Sequence, residues 1–204
     1  MIRLLIAATF GAIVMLVMSL DAVAASRIAD GEVLRGRFVQ ERHLKGFAAP
    51  LRSEGQFLLA PDRGLIWKTE KPFAVTTVIT QAGLVQEVNG SQTLQMPTAK
   101  LPFLSRLYQM LGGALAGDWR ALESDFTVAR DGNEDDWRLA LTPKKADDMA
   151  MPFRAIAISG TRFVNKVTLT KPDGDFDKLT FLDQVLSSEP LTADESTTLD
   201  SAGL

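Results

Sequence analysis

No cysteine occurs in the 204 residues, and histidine occurs once, at His43. The first absence excludes disulfides, thiolate metal sites and cysteine nucleophiles. It also excludes a lipid-modified cysteine behind a leader. A single histidine cannot build a metal centre with other histidines or cysteines. Set among Glu41, Arg42 and Lys45 in a strand-like run, it reads as a surface or rim residue rather than a base. There is no glycine-rich phosphate loop around Gly64 and no Gly-x-Ser-x-Gly elbow. The acidic pairs Asp135-Asp136 and Asp147-Asp148 stand next to turns and read as solvated. Asp173-Gly174-Asp175 with Asp177 is similar to part of a calcium loop, but no glutamate follows at the required spacing. The expectation is a chain that is not an enzyme, with no catalytic residue, metal or cofactor.

An excess of one charge is missing too. Set aside residues 1–24 and the acidic end 187–204, with Glu189, Asp194, Glu195 and Asp200. The remainder then holds 21 basic against 20 acidic side chains. Nothing there offers nucleic acid or an anionic membrane surface a basic field.

What is present begins with a leader pattern. Arg3 precedes an uncharged run at 4–20, Asp21 breaks it, and Ala22-Val23-Ala24 places small residues where a signal peptidase reads. Seventeen residues at ~1.5 Å rise span about 25 Å, short of a hydrocarbon core of roughly 30 Å. Residues 1–24 are therefore expected to be a cleaved signal peptide. An exported chain with no lipid anchor or second apolar span should be free in the periplasm of a bacterium with two membranes, as a monomer. Residues 25–186 form the expected domain, and 187–204 an acidic, mobile tail in which Thr192-Ala193-Asp194-Glu195 suits a capped turn.

The domain reads as strands at 34–44, 51–60, 65–70, 73–80, 84–88, 92–96, 125–130, 136–142, 153–159, 162–170 and 176–184. Asn89-Gly90 suits a type I′ hairpin because both residues tolerate positive φ. Asp131-Gly132 and Asp173-Gly174 serve similarly, while Pro61-Asp62 and Lys71-Pro72 end their strands. Trp137, Leu139 and Leu141 alternate with Arg138, Ala140 and Thr142. Phe163, Val167 and Leu169 share a face, as do Leu179, Phe181 and Val185. The fold class is mainly β with antiparallel pairing, and no β-α-β alternation suggests a parallel sheet.

One stretch interrupts the strands. Leu101, Leu104, Leu107, Tyr108, Leu111 and Leu115 recur near helical spacing, and Phe103 and Met110 widen the apolar stripe. Gly112-Gly113 then weakens the helix. Such a helix closes the core of a curved sheet, or covers an apolar cavity as a lid, or does both.

In this order the elements resemble the LolA-type outer-membrane lipoprotein carriers. Phe38-Val39-Gln40 in the first strand, Gly55-Gln56-Phe57 in the second, Leu65-Ile66-Trp67 before Lys71-Pro72, Gly117-Asp118-Trp119, and Leu139-Ala140-Leu141-Thr142-Pro143 all carry the likeness, over about 35–184. The resemblance implies an unclosed barrel of about eleven strands with an apolar helical lid. It also implies a carrier that takes acyl chains of a lipoprotein, or another lipidated molecule, from an inner-membrane transporter to an outer-membrane acceptor. The alternative on the same scaffold is a lipid- or lipoprotein-sensing module; a periplasmic hydrolase is the third class. Phe57, Leu59, Leu65, Trp67 and Phe73 are the expected cavity lining, and Leu101, Phe103, Leu104, Leu107, Met110 and Leu111 the expected lid. The family has an arginine before the Trp strand that latches the lid. Aligned on Trp67, that position is Pro61, and Arg63 two residues on is the candidate latch. This departure suits a divergent member with its own cargo.

Overall fold

The computed structural model describes residues 28–29, 31–97, 100, 123, 125–133, 135–144 and 153–203. The leader and the candidate lid residues Leu101, Phe103, Leu104, Leu107, Met110 and Leu111 lie outside these. Among the described residues no helix is long and apolar enough to cross a membrane.

The described residues form eleven antiparallel strands: β1 (Val33–His43), β2 (Leu51–Ala60), β3 (Gly64–Lys71), β4 (Val75–Ile79), β5 (Gly83–Val88), β6 (Ser91–Pro97), β7 (Phe126–Asn133), β8 (Asp136–Pro143), β9 (Ala155–Gly160), β10 (Val164–Thr170) and β11 (Phe176–Ser187). A helix, α1 (Ala193–Asp200), follows them. The strand order is β6-β5-β4-β3-β2-β1-β11-β10-β9-β8-β7, so β11 returns to pair with β1 and joins two meanders. β6 and β7 stay unpaired with each other, and the sheet is an unclosed barrel. All eleven expected strands are present.

Local chemistry explains most of the turns. Asn89 and Gly90 both take positive φ, 51° and 78°, as a type I′ turn requires. The β7–β8 hairpin turns later than Asp131-Gly132, because both residues are still in the ladder, opposite Arg138 and Trp137. There the Asn133 side chain accepts the backbone amides of Asp135 and Asp136. β4 begins at Val75 rather than Phe73, since the β3–β4 ladder runs only from Leu65↔Ile79 to Thr69↔Val75.

The inner face holds two clusters that meet at Phe181. One contains Leu34, Phe38, Phe57 and Leu59; the other contains Phe126, Trp137, Leu139, Leu141, Ile156 and Ile158. The outer face differs between the halves. On β1–β5 it is apolar as well, with Val33, Leu58, Ala60, Ile66, Val78 and Val85 packed under α1 through Leu199 and Ala202. On β7–β10, Ala129, Ala140 and Ala157 floor a shallow groove of about 380 Å³.

The acidic end is therefore not a free tail. Residues 193–200 are helical, Leu199 is 2% exposed, and burying such a side chain stabilises by about 2 kcal/mol. Thr192 caps α1 with the expected capping box: its hydroxyl accepts the Glu195 amide, and the Glu195 carboxylate accepts the Thr192 amide.

Candidate functional site

Of the five expected lining residues, four come together. Phe57↔Trp67 and Leu59↔Leu65 are direct partners across β2 and β3, so all four share the inner face. Phe57 and Leu59 are buried, and Leu65 and Trp67 are half-buried. Phe73 does not join them; it is 71% exposed in the β3–β4 connection, beyond the last rung of the ladder.

Aromatic rings knit this face together across non-adjacent strands. The Phe38 and Trp67 rings stack with centroids 3.8 Å apart, although β1 and β3 are separated by β2. Two strand spacings are roughly 9.5 Å, so the rings can meet only above a gap in the strand between. Gly55, the partner of Phe38 on β2, supplies that gap. Gly36 does the same one strand over. A Cβ there would lie 2.7 Å from the Phe57 ring, which reaches over β1 to meet Phe181 edge-on at 5.3 Å. Trp67 also meets Phe181 edge-on, at 6.1 Å.

Sequence reasoning left Leu34, Phe38 and Phe181 out of the lining, although the alternation in β11 already set Phe181 on an apolar face. Val185 was expected on that face too. A bulge opposite Arg35–Arg37, with Asp183 at φ 51°, shifts the alternation by one residue. Val185 then faces outward at 62% exposure, and Leu186 pairs with Leu34 and packs inward.

Toward one end the inner face turns polar. Arg42 on β1 is the direct partner of Asp177 on β11, and its Nε donates to Asp177 Oδ1 at 3.0 Å. Lys171 Nζ lies 3.2 Å from Oδ2 of the same carboxylate. The Asp177 side chain is 9% exposed, whereas those of Arg42 and Lys171 are 49% and 28% exposed. Asp173 and Asp175, also considered for calcium, instead accept the backbone amides of Asp175 and Lys45. No group of three or more metal-ligating side chains is found among the described residues. His43 stacks on Phe176 with centroids 4.2 Å apart.

The candidate latch is engaged elsewhere: Arg63 Nη2 donates to Asp200 Oδ1 on α1 at 2.8 Å. Nearby, Arg35 grips Glu195 with two hydrogen bonds, Nε to Oε1 at 2.9 Å and Nη2 to Oε2 at 2.7 Å. The hydrogen bond from Arg35 is the largest influence on the Glu195 carboxyl, lowered from its ordinary 4.5 to about 2. The Arg35–Glu195 pair borders an outer cleft of about 570 Å³ between α1 and the sheet, lined by Arg37, Leu58, Ile66 and Lys68 among others.

A family model described as outer membrane lipoprotein carrier protein LolA-like matches residues 17–182. Among solved structures, the chain is similar to a LolA superfamily protein from Nitrosomonas europaea, at 9% identity and TM-score 0.43 over 84% of this chain and 93% of that one. It is similar to the Pseudomonas aeruginosa MucA/MucB complex at 16% identity and TM-score 0.40, over 83% of this chain and 58% of that one. LprF from Mycobacterium bovis matches at 10% identity and TM-score 0.34, over 78% of this chain and 88% of that one. No curated protein matches the sequence.

Proposed function

This chain belongs to the family of LolA-like outer membrane lipoprotein carrier proteins, and from that membership we propose that it shields acyl chains on its inner face while they pass between membranes of the cell envelope. The observation that carries this reading is the continuous apolar floor from Leu34, Phe38, Phe57 and Trp67 through Phe181 to Leu139 and Ile158. Burying a methylene is worth ~0.8 kcal/mol, so ten of them contribute roughly 8 kcal/mol, the scale of micromolar binding. Apolar contact alone holds such a cargo, and little directed polar chemistry is required.

The periplasm is the compartment this role needs, with the leader at 1–24 as the means of export. The cargo is a lipoprotein or another acylated molecule, exchanged between a donor and an acceptor in the two membranes.

The reading has two direct tests. Native mass spectrometry of gently purified protein is expected to show co-purifying acylated species. A brominated acyl chain is expected to quench tryptophan emission, and Trp67→Phe should remove most of that quenching because Trp67 is the half-buried indole of the floor. Absence of any bound or bindable acyl species, or quenching that Trp67→Phe leaves unchanged, would count decisively against the site. Transfer of a labelled acyl molecule from donor to acceptor vesicles separates a carrier from a sensor: a sensor binds without accelerating exchange.

A further inference from the structure

The polar end of the inner face is unusual for a surface meant only to hold hydrocarbon. Two cations, Arg42 and Lys171, share one buried carboxylate, Asp177. Both carboxylate oxygens are engaged, one by each cation. Arg42 spends only its Nε on the pair, so its terminal NH groups have no partner among the described residues. Within this trio the cations outnumber the carboxylate, and they are more exposed than it. Asp173 and Asp175 in the neighbouring turn are tied to backbone amides, with Lys45 beside them. Arg42 shares the face of Phe38, four residues away along β1, or roughly 13 Å. That is close enough for one amphiphile to lie on the aromatic floor and reach the cations.

We infer that this end is a head-group site for an anionic amphiphile. The Arg42 guanidinium and the Lys171 ammonium hold a carboxylate or phosphate while the chain lies over Phe38, Trp67 and Phe181. Asp177 is a positioning residue: it fixes both cations through one oxygen each and leaves the terminal NH groups of Arg42 to an oxyanion. The assignment rests on the acyl-binding reading above and adds a cargo class to it. A neutral diacyl anchor would gain nothing from this pair of cations, whereas a fatty acid or a lipid phosphate would.

The test compares amphiphiles of one chain length, each displacing a fluorescent acyl probe from the full protein below micelle-forming concentrations. Dodecanoate and dodecyl phosphate are expected to bind about tenfold or more tightly than dodecanol, the scale of a charge-assisted hydrogen bond. Dodecyltrimethylammonium is expected to bind more weakly than dodecanol. Arg42→Gln combined with Lys171→Gln should abolish the preference, bringing dodecanoate and dodecyl phosphate to the affinity of dodecanol, with an unchanged circular dichroism spectrum reporting that the sheet is intact. Asp177→Asn, if its circular dichroism and dodecanol binding are preserved, should widen the preference. Their ranking relative to each other separates a fatty-acid from a phospholipid-type head. Equal binding of dodecanoate and dodecanol by the wild type, or a preference that survives the double substitution, overturns the head-group site alone. Failure of all four amphiphiles to bind overturns the acyl-binding reading with it.

Discussion

Gly36 and Gly55 do more for this protein than their size suggests. Gly36 sits under the Phe57 ring as it crosses β1, and Gly55 puts no side chain beside Phe38 where its ring meets Trp67; these crossings turn separate strands into one apolar floor. A Cβ at Gly55 would lie 2.0 Å from the Lys68 carbonyl oxygen, a clash that only backbone movement relieves. Gly55→Ala is expected to destabilise by about 1–3 kcal/mol, read from denaturant midpoints, and to weaken acyl-probe binding. Gly36→Ala meets the Phe57 ring first and the Leu182 carbonyl oxygen less closely, so its larger effect should be on binding. The sequence marked Gly55 only as part of a motif, because its purpose lies in what passes over it. Phe73 and Val185 show the same limit from the other side. Alternation sets faces only while register holds, and a turn or a bulged residue resets it without a signature in hydrophobicity. Asp177 read as one member of an acidic run; its burial depends on Arg42, 135 positions away in the chain.

At the scale of elements, α1 is the most testable piece. Its cap was legible from Thr192 to Glu195, since a capping box is a local code. Its docking was not, because Leu199, Arg35 and Arg63 belong to distant segments. The Glu195 carboxyl is held at about 2 in the folded protein, below its ordinary value. Stability from this group is therefore fully present above about pH 4.5 and is lost as pH falls through about 2. Amide exchange at 193–202 should rise across that window before the sheet unfolds. Glu195→Ala removes both the Arg35 pair and half of the capping box. It should cost about 1–2 kcal/mol at neutral pH, measured by chemical denaturation, and flatten the acid response. If exchange in α1 proves independent of pH in the wild type, the ion pair does not hold the helix down.

For the whole molecule, strand count, antiparallel pairing and the absence of parallel crossovers were all readable, because each strand carries its own period and each hairpin its own turn chemistry. That the barrel stays unclosed was implied by the family resemblance but not by the strand pattern, since it depends on which strands meet at the ends of the sheet. Here β6 and β7 do not. A closed barrel fixes its circumference by a seam of hydrogen bonds, and widening it means rupturing a row of them. An open sheet has no such seam. Its girth is set by twist and bend, which deform gradually and leave every ladder paired. For the proposed acyl cargo, a sheet built this way would adjust its capacity to the thickness of what it holds, from a single slim chain to a bulkier bundle, at an elastic cost rather than a bond-breaking one.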